Sequence, residues 1–150
     1  MSGPYPLIVA ELLRGRENDP VQLRLPDGHV MDMDGAPVGT AFEIPRDSPQ
    51  LQYWYRLRSA EYERDHATSR GMYLIKVPCG LWFSPDKHVT PVTGVPADRH
   101  GWTVAGTLET LTVSPSVAMN TGHEFGWHGW IGVNGTPPGH LSRDLDGRPF

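Results

Sequence analysis

Hydrophobic residues along this chain come in short runs separated by turn formers. Leu7-Ile8-Val9 is followed by Asn18-Asp19-Pro20, then by Val21, Leu23 and Leu25 at period two, then by Pro26-Asp27-Gly28. Alternation of this kind predicts a half-buried strand, and the Pro-Asp-Gly triplet predicts the turn that closes it. The pattern changes between Asp47 and His66, where Leu51, Tyr55, Arg58 and Tyr62 recur at helical spacing beside Trp54. Asp47 or Ser48 can cap that segment and Pro49 suits its first turn, so one main helix is expected there. A polar loop, Arg64 to Arg70, then leads into Tyr73-Leu74-Ile75-Lys76-Val77, which reads as a buried strand ending at Pro78-Cys79-Gly80.

From Trp102 onward the spacing is that of a strand meander. The segments are Trp102 to Ala105, Leu108 to Val113, Val117 to Met119 and Trp130 to Val133, with Asn134-Gly135 as a strong turn dipeptide. Residues 136–150 lack periodicity and are expected to form an extended or partly mobile end. The fold class that follows is mostly β (α+β), a small antiparallel meander or partly open barrel with one main helix. One domain is expected over residues 1–150: an extension to residue 70, a β core over 71–135, and the tail.

The chain has 150 residues, of which 17 are Gly and 15 Pro, in keeping with many turns and short elements. Its formal charge of −4 leaves no basic excess for phosphates or anionic lipid headgroups, so neither nucleic acid nor a membrane is an expected partner. The start lacks a positive region and the run Leu7 to Ala10 is too short for a signal core or a membrane span. A single cysteine, Cys79, excludes an internal disulfide framework, and a cytoplasmic protein is the expectation.

The stretch richest in chemistry runs from Gly106 to Val117 and resumes at Gly126-Trp127-His128-Gly129-Trp130. In an extended segment Thr110, Thr112, Ser114 and Ser116 share one face, while Pro115 cannot donate to a ladder and marks an end, a bulge or an edge. A serine hydroxyl needs a base within hydrogen-bond reach to act as a nucleophile, and His128 is the nearest plausible one. Flanking glycines let backbone approach a substrate, so Gly129 joins Trp127 and Trp130 as a candidate lining residue. Hydroxyl rows also occur on ordinary solvated strand faces, and no G-x-S-x-G elbow is present. Spacing alone leaves both readings open.

Cys79, His88, His123 and His128, with Glu124 alongside, are potential zinc ligands, but no CxxC or HExxH spacing supports a site, and no cofactor is expected. His29, His66, His100 and His140 read as solvated loop residues.

The pieces W-T-V-A-G-T-L-E, T-V-S-P-S-V and G-W-H-G-W-I-G-V-N-G, within Trp102 to Gly135, resemble an uncharacterised bacterial and phage family. Its relatives lie in bacterial ubiquitin-like conjugation (Bub) operons and are regarded as serine-protease-like deconjugating or processing enzymes. The resemblance implies Ser116 as nucleophile and His128 as its base, with Ser114 the weaker alternative and His88 an orienting group. Glu109 falls at an acidic position of the family but points off the Ser116 face of a regular strand, so the third catalytic residue stays unassigned. The implied partner is the C-terminal tail of a ubiquitin-like protein, added to a strand edge beside Trp127 or Trp130. The family's cysteine cluster is reduced here to Cys79, and Glu124-Phe125 replaces the cysteine that usually precedes the second-half histidine. Two other classes remain beside this one: a non-catalytic phage or bacterial protein-binding module, and a zinc-binding hydrolase or structural zinc domain.

Overall fold

The computed structural model describes residues 4–14, 21–44, 72–85, 103–119 and 126–149. The helix expected between Asp47 and His66 lies outside them, as do His88 and Trp102. Within them the chain is mostly β. The strands are β1 (Tyr5–Pro6), β2 (Ile8–Val9), β3 (Glu11–Arg14), β4 (Gln22–Arg24), β5 (Val30–Asp32), β6 (Thr40–Ile44), β7 (Met72–Lys76), β8 (Trp82–Phe83), β9 (Thr103–Ala105), β10 (Thr112–Met119), β11 (Trp127–Ile131) and β12 (His140–Leu141). Helical structure among the described residues is limited to two single 3-10 turns, Met33–Gly35 and Leu108–Thr110.

Among the described residues three sheets form, with strand orders β1-β12-β11-β10-β9, β2-β6-β7-β8 and β3-β4-β5, and none of them closes into a barrel. All pairings are antiparallel except β2 with β6. The predicted Pro26-Asp27-Gly28 turn joins β4 to β5, with Gly28 at φ 93° and the Gly28 N–H donating to the Leu25 carbonyl at 2.9 Å.

The four-stranded sheet is buried on both faces, and strand alternation divides its side chains between two cores. Ala41, Tyr73 and Ile75 pack with Val113, Val117, Trp127, Ile131 and Leu141 of the five-stranded sheet. Phe42, Ile44 and Leu74 face the other way, onto Ala10, Leu23, Leu25 and Ala36. Register fixes the split: Ala41 lies opposite Ile75, and Phe42 opposite Leu74. A one-residue slip would exchange the two sets. The five-stranded sheet therefore has one face in a core and one face outward, and the candidate site lies on the outward one.

Two expectations are corrected. The hydroxyl row from Thr110 to Ser116 does not exist as one face, because Thr110 belongs to a 3-10 turn in which Thr107 and Thr110 cap each other. Residues 136–149 do not form a loose tail: His140–Leu141 is a strand between β1 and β11, and the chain beyond it is tied to β11. The Ser142 N–H donates to the Trp130 carbonyl at 2.9 Å and the Leu145 N–H to the His128 carbonyl at 2.7 Å. Backbone pairing of this kind needs no side-chain periodicity, which is why the sequence pattern missed it.

Candidate catalytic site

Strand β10 runs straight through Pro115 but not regularly. Val113 lies opposite Ile131 and Val117 opposite Gly129, so four residue steps on β10 face two on β11. The surplus is a bulge over Ser114, Pro115 and Ser116, where proline has no ladder donor to lose. Past it the ladder resumes with Ala118 opposite His128 and Met119 opposite Trp127. Inward residues Val113, Val117, Trp127, Gly129 and Ile131 are all buried. Ser116, His128 and Trp130 consequently point outward.

Ser116 and His128 are diagonal neighbours on that outer face, a relation that suits a long side chain reaching a short one. His128 Nε2 is 3.1 Å from Ser116 Oγ, and His128 Nδ1 is 3.4 Å from Asp146 Oδ1. A carboxylate only accepts, so the Asp146 contact favours the tautomer with the ring proton on Nδ1, which leaves the Nε2 lone pair to accept from the Ser116 hydroxyl. The serine is part-buried, and the histidine and aspartate side chains are 31% and 46% exposed. The site is open at the surface.

The segment from Asp144 to Arg148 holds the third group in place. Asp144, whose side chain is fully buried, accepts from the His128 N–H at 2.8 Å, from the Arg148 N–H at 2.7 Å and from the Arg148 guanidinium at 2.9 Å. The same guanidinium nitrogen donates to Asp146 Oδ2 at 3.3 Å. Burial opposes ionisation of Asp144, but the N–H donors of Arg148 and His128 and the Arg148 charge outweigh it and keep the carboxyl below its ordinary 3.8. Gly147, at φ 83°, closes the turn that brings Arg148 back. Asp144 thus fastens the strand backbone at His128, while Arg148 links it to the carboxylate that faces the imidazole.

The other sequence-predicted residues separate from this cluster. Ser114 is exposed in the bulge and pairs with Thr103 of β9, while the hydrogen bond to His128 is made by Ser116. Trp127 is wholly buried in the core, so its expected place in a substrate slot is corrected; the alternation of β11 turns it inward and leaves Trp130 as the half-buried aromatic beside His128. Gly129 is buried too. A Cβ there would lie 2.2 Å from the Trp127 ring and 2.7 Å from Ser142 Oγ, so glycine makes room for the indole rather than for a ligand. Glu109 is exposed in the 3-10 turn that precedes β10. Cys79 sits in the turn after β7 against the core, and no group of three His, Cys, Asp or Glu among the described residues could hold a metal ion. No helix among them is long and apolar enough to cross a membrane. Asp146 went unrecognised in the sequence; its only local signal is the Asp-Leu-Asp-Gly-Arg run, which reads as a turn.

Comparison of the chain with protein-family models, with curated proteins and with solved structures returns no match.

Proposed function

We propose that the protein is a serine hydrolase whose nucleophile is Ser116, whose base is His128 and whose orienting carboxylate is Asp146. The observation that carries this reading is the chain of contacts from Ser116 Oγ through the two ring nitrogens to Asp146, at 3.1 and 3.4 Å, on an open sheet face. Such a constellation is recognised by geometry and role rather than by chain order. In the first step Ser116 Oγ bonds to the substrate carbonyl carbon while His128 Nε2 takes the hydroxyl proton. The bond to the leaving nitrogen or oxygen then breaks, and the leaving group carries that proton away. Water, deprotonated by the same nitrogen, attacks the acyl ester and restores the serine. Asp146 accepts from Nδ1 throughout and stabilises the imidazolium of each intermediate stage.

The substrate class comes from the resemblance to the Bub-operon enzymes: an ester or amide at the C-terminus of a ubiquitin-like protein. Ser116→Ala should abolish processing and fluorophosphonate labelling while leaving the denaturation midpoint close to wild type. Hydrolysis at the wild-type rate in that variant would remove serine catalysis.

A further inference from the structure

A second feature lies on the same outer face. A groove of about 440 Å³ opens beside the site, lined by Trp130, Leu145, Arg143, Pro4, Ser142 and the turn from Asn134 to Thr136. Its position follows from register. Ile131 lies opposite Leu141, so Trp130 and Ser142 are neighbours on the face that also carries His128, and Tyr5 opposite Leu141 brings Pro4 next to Ser142. The Trp130 N–H donates to Ser142 Oγ at 2.8 Å, which ties two of the lining residues together. Leu145 is 42% exposed and precedes Asp146 directly, so the groove wall and the relay share one turn.

The lining combines an indole, an exposed leucine and one ionisable side chain, Arg143, on a chain of formal charge −4. Arg143 is exposed and has no ion-pair or side-chain hydrogen-bond partner among the described residues, in contrast to Arg148, which two carboxylates hold. An exposed guanidinium beside an aromatic wall matches a ligand with an apolar body and a carboxylate. We infer that the Trp130–Arg143 groove is a substrate subsite for a peptide segment in which an apolar side chain adjoins an acidic one. This deepens the hydrolase reading and rests on it for the delivery of the scissile bond to Ser116; the binding itself does not depend on that chemistry.

The test therefore measures binding without turnover. Ser116→Ala protein is titrated with N-acetyl-Leu-Glu-amide and with N-acetyl-Leu-Gln-amide while the Trp130 indole N–H resonance, assigned by its loss in Trp130→Phe, is followed by NMR. The acidic peptide should shift that resonance and bind about fivefold more tightly than the neutral one, the gain expected of one exposed charge-assisted contact. Arg143→Gln should bring the two affinities together. Equal affinities in the Arg143-containing protein, a preference that survives Arg143→Gln, or saturation without a Trp130 shift would each overturn the subsite. None of those results bears on Ser116 labelling, so the two readings fail separately.

Discussion

Exchanging Asp146 for asparagine keeps the size of the side chain and removes only its charge and its purely accepting character. The amide can present either an oxygen or an NH2 group to Nδ1, so the tautomer with a free Nε2 lone pair is no longer enforced. The size of the effect follows from exposure. Opposite charges about 4 Å apart interact by about 1 kcal/mol in water and about 4 kcal/mol at an effective dielectric of 20. Asp146 is 46% exposed and shares its second oxygen with Arg148 at 3.3 Å, so the lower part of that range applies. A loss of about 1–2 kcal/mol of transition-state stabilisation corresponds to a fall of about five- to thirtyfold in kcat/KM. Initial rates on a fluorogenic ester, with urea denaturation of the same preparation, measure it. A rate within twofold of wild type at unchanged stability would refute the role given to Asp146, whereas a loss near ~10⁴-fold, as in fully buried triads, would refute the argument from exposure.

Asp144→Asn tests the anchor rather than the relay. It should cost about 2–4 kcal/mol in urea denaturation, since a buried carboxylate with three donors loses its charge and part of its accepting capacity. Because the folded carboxyl titrates below its ordinary value, its contribution is complete above about pH 4 and disappears as pH falls through the lower folded value. The wild-type denaturation midpoint should therefore drop in that acid range more than that of Asp144→Asn; parallel curves would contradict this. Gly129→Ala should destabilise by about 1–3 kcal/mol through the collision with the Trp127 ring. An unchanged midpoint in that variant would show that β11 moves aside freely.

Much of the site's scaffold was legible in the sequence because local rules decide it. Alternation in Trp127 to Ile131 divides buried from outward residues, Pro115 announces a break in the ladder, and Asn134-Gly135 takes positive φ at both positions, 52° and 89°. Residue types made Ser116 and His128 a possible pair, while their spacing left the hydroxyl-row reading equally open. What stayed hidden depends on contacts between distant parts of the chain. The parallel alignment of β2 with β6 and the two-residue strand β12 carry no period long enough to read. Asp146 was hidden for the same reason, since a carboxylate in an irregular segment means nothing until Asp144 and the Leu145 N–H dock that segment on His128. Trp127 shows the opposite case: parity puts it and Trp130 on opposite faces of β11, but which of the two enters the core is decided by the packing of the sheets.

The bulge in β10 lets the outer face change without the core. Its surplus over β11 is two residues, and the ladder still resumes in phase, with Val117 buried like Val113 before it. A bulge absorbs surplus residues locally and keeps the flanking pairs in register, so a change of length in the Ser114-Pro115-Ser116 stretch falls first on where the Ser116 hydroxyl emerges relative to His128. Engineered variants of that stretch should therefore keep the fold and lose the hydrogen bond between the two side chains.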